Sequence, residues 1–67
     1  MKIRVNGEWE EIAEATVIAV LEKRRLSTEN PWFAVAINRT FVPRSEYLSR
    51  RLAEGDEVEI VTPRQGG

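Results

Sequence analysis

A β-hairpin signal in the first twelve residues constrains the fold more than any other feature of the chain. Residues 2–5 alternate polar and apolar side chains, the period of a strand with one buried face. Asn6-Gly7 follows, and both residue types tolerate the positive φ that a type I′ turn requires. Residues 8–12 would form the return strand, so the chain is expected to begin with two antiparallel strands whose Ile3 and Val5 face inward.

A helix is predicted over residues 16–26. Thr16 is a good N-cap, because its hydroxyl can accept a hydrogen bond from a free N–H of the first turn. Val17, Val20 and Leu21 then form an apolar stripe at helical spacing. The basic residues 23–25 complement the helix dipole. They fit either a solvated helix end or a docking patch.

The second half of the chain predicts three more strands. Residues 33–37 form an unbroken apolar run rich in β-branched and aromatic side chains, typical of a central strand. Asn38-Arg39 is a possible two-residue turn into a strand at 40–42, which Pro43 ends. A final strand is predicted at 57–61.

Between Pro43 and that last strand the pattern is weaker. Residues 45–52 have some helical character, and we expect one short helical turn with Tyr47, Leu48 and Leu52 as buried apolar residues. Residues 54–56 are predicted to form a turn.

If the turn at 38–39 is tight, Phe41 lies on the same outer face as Ala34 and Ala36. Two interpretations stay open. Phe41 could simply cover the two alanines, or the three residues could form a docking surface for a partner protein, since contiguous exposed apolar patches often mark such sites.

The order β-β-α-β-β-β predicts an α+β fold in which one helix packs across one face of a mixed sheet. We expect the first and last strands to be the central pair. Residues 1–62 would then form one domain, and residues 63–67 a flexible tail that leaves a rigid strand.

The predicted tail ends in Gln65-Gly66-Gly67. Glycine has no Cβ, so a diglycine end is thin enough to enter a narrow channel. It would present the α-carboxylate of Gly67 as its only reactive group. An ordinary chain end is the competing interpretation, because Gly-Gly alone is a weak motif.

Composition narrows the classes of function. The 67 residues contain no cysteine and no histidine, which argues against disulfides, thiolate metal sites and the usual general base. We therefore expect no cofactor and no metal. The net charge of −1 argues against a nucleic-acid binder. No apolar run has the length of a membrane span, so a soluble cytoplasmic protein is expected.

Four blocks of sequence occur together in a characteristic order: Lys2-Ile3-Arg4-Val5-Asn6-Gly7, Ala34 to Asn38 with Phe41-Val42-Pro43-Arg44, Glu54 to Val61, and Gln65-Gly66-Gly67. In this combination the chain resembles the ThiS family, the sulfur carriers of thiamine biosynthesis with a ubiquitin-like β-grasp fold. Ala15 departs from the glycine that family members often have at this position, which should alter loop geometry and not chemistry.

The resemblance implies a carrier that is not itself an enzyme. A ThiF-type, E1-like enzyme would adenylate the Gly67 carboxylate with ATP, and a sulfur donor such as a cysteine desulfurase would convert it to a thiocarboxylate. A ThiG-type thiazole synthase would then take the sulfur. Phe41, Ala34, Ala36 and Arg64 are the expected partner-binding residues.

Three other functions remain possible at this point. The small subunit of molybdopterin synthase also carries sulfur on a terminal Gly-Gly, although the block from Asn38 to Arg44 favours the thiamine branch. A modifier conjugated to protein lysines would begin with the same tail chemistry. A plain interaction domain would not depend on Gly67 at all.

Overall fold

The computed structural model describes residues 1–26 and 32–62. In these residues the chain forms five strands, one α-helix and one 3₁₀ turn. They are β1 (Lys2–Val5), β2 (Glu8–Glu11), α1 (Val17–Lys23), β3 (Ala34–Ile37), β4 (Thr40–Val42), the 3₁₀ turn (Arg44–Glu46) and β5 (Glu57–Val61).

The five strands form one mixed sheet in the order β2-β1-β5-β3-β4. The central strand β5 is parallel to β1 and antiparallel to β3. Each outer strand belongs to a hairpin, β1 with β2 and β3 with β4. The prediction that the first and last strands pair at the centre of an α+β fold is therefore confirmed.

Both hairpins turn through two residues with positive φ. Asn6 and Gly7 have φ of 51° and 86°, and Asn38 and Arg39 have 50° and 69°. Positive φ at both central residues matches the right-handed twist of the flanking strands, which is why type I′ turns join hairpins so tightly. In the second hairpin this tight turn places Phe41 opposite Ala36, on the outer face where the sequence predicted it.

Helix α1 begins as predicted but ends sooner. The Thr16 hydroxyl accepts a hydrogen bond from the Ala19 N–H at 3.2 Å. The helix ends at Lys23 rather than near residue 26, because Arg25 adopts a left-handed φ of 59°. The Leu26 N–H then donates to the Leu21 carbonyl at 2.8 Å, the long-range bond of a Schellman motif.

The core lies between α1 and the inner face of the sheet. Leu21 is fully buried there, so the predicted phase of the helix is confirmed. Tyr47 and Leu52 are also buried, whereas the expectation for Leu48 is wrong, because its side chain is 74% exposed. The other buried residues are Ile3, Val5, Ile12, Val17, Val20, Phe33, Val35, Ile37, Val42, Val58 and Ile60.

Candidate functional site

The face of the sheet opposite the helix carries a small apolar patch. Alternation along the strands brings together Ala34 and Ala36 of β3, Phe41 of β4 and Val61 of β5, which we call the outer patch. Ala36 lies opposite Phe41, and Ala34 lies opposite Val61. Phe41 is 65% exposed, and the two alanines beside it are half-buried, so the patch presents apolar surface to solvent.

Sequence reasoning found three of these four residues and missed Val61. Its side chain is 64% exposed, and it is the last residue of β5. The alternation that places Val58 and Ile60 inward already places Val61 outward. The outer patch therefore extends to the point where β5 ends, one residue before Thr62.

An acidic side chain adjoins the outer patch. Glu59 of β5 lies opposite Ala36 of β3, and its side chain is exposed. A protein that covers this part of the face must desolvate the Glu59 carboxylate, which is costly unless the partner supplies a cation or hydrogen-bond donors. The sequence alternation places Glu59 on this face, but its position beside Ala36 depends on the pairing of β3 with β5.

A second aromatic side chain lies on the same face near the other edge of the sheet. Trp9 of β2 is 61% exposed and pairs across the strands with Arg4 of β1. The Arg4 guanidinium carbon lies 5.7 Å from the centroid of the Trp9 ring, a cation–π distance. Within the described residues the buried Nε of Arg4 has no hydrogen-bond partner. This arrangement holds the Trp9 ring against β1.

Asparagine and aspartate side chains hold the start of β5. The Asn38 Oδ1 accepts a hydrogen bond from the Glu57 N–H at 3.0 Å, and its Nδ2 donates to Asp56 Oδ1 at 3.1 Å. The other carboxylate oxygen of Asp56 accepts from the Ala53 N–H at 2.8 Å. Asn38 and Asp56 belong to two of the sequence blocks that carry the family resemblance, and here they order the backbone that enters β5.

The block Val42-Pro43-Arg44 leads into a stack of aromatic rings. Phe33 and Tyr47 stack with ring centroids 5.8 Å apart and planes inclined by 16°. The Arg44 guanidinium lies 5.5 Å from the Phe33 ring and 5.7 Å from the Tyr47 ring. The face of an aromatic ring attracts a guanidinium at this distance, so Arg44, although exposed, helps to fix the segment that follows β4.

The basic end of α1 is bound to the hairpin. The Arg24 guanidinium donates to both carboxylate oxygens of Glu10, with Nη1 3.1 Å from Oε1. Lys23 Nζ lies 3.7 Å from the same carboxylate. The hydrogen bonds from Arg24, with the nearby positive charges, lower the pKa of Glu10 below its ordinary value. At least Arg24 of the basic triplet therefore has a structural partner on β2.

The predicted tail residues Arg64, Gln65, Gly66 and Gly67 lie outside the described residues, so their roles stay predictions. In residues 1–26 and 32–62, no cluster of three or more acidic, histidine or cysteine side chains is placed to hold a metal ion. No helix in the same ranges is long and apolar enough to cross a membrane.

Comparison with known proteins decides the family. The sequence matches the ThiS family over residues 3–67, almost the whole chain. The chain belongs to the ThiS family. Its fold matches the crystal structure of the thiamine biosynthesis protein ThiS from Geobacter metallireducens, with a TM-score of 0.78, 24% identity and full coverage of both chains. No curated protein matches the sequence.

Membership confirms two expectations from the sequence. The fold is the ubiquitin-like β-grasp of the ThiS family. The chain is a small sulfur carrier of thiamine biosynthesis, the role of that family.

Proposed function

We propose that this ThiS-family chain carries sulfur on the α-carboxylate of Gly67. A ThiF-type, E1-like enzyme activates that carboxylate as an acyl-adenylate with ATP. A sulfur donor such as a cysteine desulfurase supplies a persulfide, whose terminal sulfur attacks the acyl-adenylate and displaces AMP to form an acyl disulfide. A thiol then cleaves the S–S bond, which leaves the thiocarboxylate on Gly67 and a new disulfide on the donor side. The thiocarboxylate then passes its sulfur to a ThiG-type thiazole synthase. Adenylation is needed because a carboxylate is a poor electrophile, and AMP is a good leaving group. We place this exchange in the cytoplasm.

The single observation that supports this proposal best is the position of the outer patch at the end of β5. The central strand is paired on both sides, and its last residue, Val61, belongs to the patch. In the proposal, residues 1–62 form a rigid domain and residues 63–67 reach into the enzyme. Five extended residues span at most roughly 17–18 Å. In the proposal, the active site of the partner that covers the patch therefore lies within this distance of Thr62.

The outer patch is the proposed docking surface for the activating enzyme, with Arg64 as a further contact from the tail. Phe41 has the most area to bury, and full burial of such a side chain is worth about 1.5–3 kcal/mol. The alanines leave room beside it, so a partner side chain can pack flat against the sheet.

Ala36→Glu tests the docking surface. The new carboxylate would lie between Phe41 and Glu59, on the face away from the core. We expect the protein to stay folded and its KM in adenylation to rise, because two adjacent carboxylates must then be desolvated in the complex. Ala13→Glu is the matched control, since Ala13 is exposed in the connection between β2 and α1. Unchanged kinetics for a folded Ala36→Glu protein would remove this face from the proposal.

Intact-protein mass spectrometry tests the tail chemistry. The protein is incubated with the activating enzyme, ATP and a sulfur source, and the expected product has one oxygen replaced by sulfur. Deletion of Gly67 should abolish this product without changing thermal stability. One extra residue after Gly67 should do the same, because it moves the reactive carbonyl out of register. If the full chain never gains the sulfur mass, the proposal is wrong; if the deletion variant gains it equally, Gly67 is not the site.

The family match favours the thiamine branch over the molybdopterin-synthase small subunit. The two branches can be separated with the same assay. Loaded carrier is presented to a thiazole synthase and to the large subunit of a molybdopterin synthase, and we expect sulfur to leave the carrier only with the thiazole synthase.

A further inference from the structure

The Asn6 side chain extends the pairing of β1 with β5 beyond the end of β1. The Asn6 N–H donates to the Val58 carbonyl at 2.9 Å, as in a regular parallel ladder. The next bond of such a ladder would run from the Ile60 N–H to the main-chain carbonyl of residue 6. Asn6 instead turns away with a φ of 51°, and its side-chain Oδ1 accepts the Ile60 N–H at 2.9 Å.

On the side of β5 to which the Ile60 N–H points, the neighbouring strand is β1. Successive N–H groups along β5 point to opposite neighbours, and the Glu57 N–H points to the β3 side, where it reaches Asn38. The N–H groups of Val58 and Ile60 therefore point to β1. The bond to Asn6 is the last one that β5 makes toward β1 before the strand ends at Val61.

We propose that Asn6 is a positioning residue for the tail, although it is 54 residues from Ile60 in the sequence. Its amide oxygen fixes the end of β5 against β1, and so fixes the point and direction in which the chain leaves the sheet toward Gly67. This inference rests on the proposed function, because it concerns how the tail is presented to the activating enzyme.

Loss of the Asn6 acceptor is expected to weaken docking to the activating enzyme through conformational entropy. Without the Asn6 acceptor, the residues from Ile60 to the tail sample more conformations in the free protein, and docking must order them. Ordering backbone costs free energy for each residue that is fixed. Once docked, the carboxylate occupies the same position, so we expect KM to change and kcat to stay the same.

The second hairpin provides an internal control. Asn38 has almost the same φ, 50°, and its Oδ1 also accepts a main-chain N–H of β5, but at Glu57, where the strand begins. A purely structural role would make Asn6 and Asn38 equivalent. The proposal distinguishes them, because only Asn6 acts at the end that leads to the tail.

Three variants separate the acceptor from the turn. Asn6→Gly keeps the positive φ and removes the acceptor. Asn6→Asp keeps both the positive φ and the acceptor, since aspartate also tolerates the left-handed region and its carboxylate can accept the hydrogen bond from the Ile60 N–H. Asn38→Gly makes the equivalent change at the other end of β5. Steady-state adenylation by a ThiF-type enzyme gives KM and kcat, and hydrogen exchange followed by NMR reports on the Ile60 amide.

For Asn6→Gly we expect faster exchange at Ile60 and a KM raised about three- to tenfold, with kcat within twofold of wild type. Asn6→Asp should keep the Ile60 exchange rate and the KM close to those of wild type. Asn38→Gly should leave KM unchanged, even if it lowers stability as much as Asn6→Gly does. An unchanged KM in a folded Asn6→Gly protein, or an equal rise in Asn38→Gly, would overturn the proposal.

One readout needs neither a variant nor the enzyme. In the wild-type protein the Ile60 amide should be protected to a degree similar to that of Val58, and an unprotected Ile60 would refute the role of Asn6 directly. Failure of the proposed function looks different, because wild type would then gain no sulfur mass while Ile60 remained protected.

Discussion

The end of helix α1 gives a sharp test of backbone energetics. Arg25 occupies the C′ position of the Schellman motif, where its N–H donates to the Glu22 carbonyl at 3.0 Å. Glycine is the usual residue there, because a side chain at a φ of 59° brings its Cβ close to the following carbonyl oxygen. That conformation costs a non-glycine residue about 1–2 kcal/mol. The Arg25 side chain is exposed, so its replacement removes no core packing.

We expect Arg25→Gly to stabilise the protein relative to Arg25→Ala. Relief of the left-handed strain is partly offset by the greater freedom of glycine in the unfolded chain, roughly 0.4–1 kcal/mol. The net gain should be about 0.5–1 kcal/mol, equivalent to an increase in Tm of about 3–6 °C for a domain of this size. Arg25→Ala is the proper reference, because both variants lose the same charge near the helix C-terminus.

Thermal and urea unfolding of the two variants measure this difference. If Arg25→Gly is no more stable than Arg25→Ala, the left-handed residue is not strained and the reasoning is wrong. Glu22→Gly, within the helix, should have the opposite effect and lower the free energy of unfolding by about 1 kcal/mol.

Two further predictions concern the core and pH. Leu21→Ala removes a fully buried side chain and should lower the free energy of unfolding by about 2–5 kcal/mol in urea titrations, and a loss below 1 kcal/mol would contradict the packing described for α1. Glu10→Gln removes the ion pair with Arg24 and should cost about 1 kcal/mol at pH 7. Because folding lowers the pKa of Glu10, its contribution is complete above the ordinary glutamate pKa of roughly 4.3 and is lost as pH falls through the lower folded pKa. The stability difference between wild type and Glu10→Gln should therefore shrink in acid, whereas a constant difference would exclude an ionic origin. Glu8→Gln, which removes an exposed carboxylate from the same strand, is the control and should cost little at pH 7.

Local chemistry was enough to predict most of the sheet. Asn6-Gly7 and Asn38-Arg39 fix the two hairpin turns, and a two-residue turn leaves one possible register for each pair of strands. That register then decides which face each side chain occupies. The position of Phe41 beside Ala36 on the outer face follows from it, which is why these residues of the candidate site could be predicted without a structure.

Three features of the structure could not be predicted from local sequence patterns. Leu48 has the same hydrophobicity as Leu52, but the irregular path after Arg44 turns Leu48 outward and Leu52 inward. The helix was predicted too long because no glycine marks its end, and Arg25 takes the glycine conformation instead. The hydrogen bond from the Ile60 N–H to the Asn6 side chain could not be predicted, because it depends on β1 lying beside β5. That pairing joins opposite ends of the chain.

The position of β5 between two strands also has a mechanical consequence. In the proposed function, an enzyme that binds residues 63–67 pulls on the end of β5. The part of that force directed along the strand acts across the hydrogen bonds to β1 and β3. Such a force loads these bonds together, in shear, and does not open them one after another as it would if an edge strand were peeled from the sheet. In the proposed function, this arrangement lets enzymes pull on the carrier repeatedly through Gly67 while its core keeps its shape.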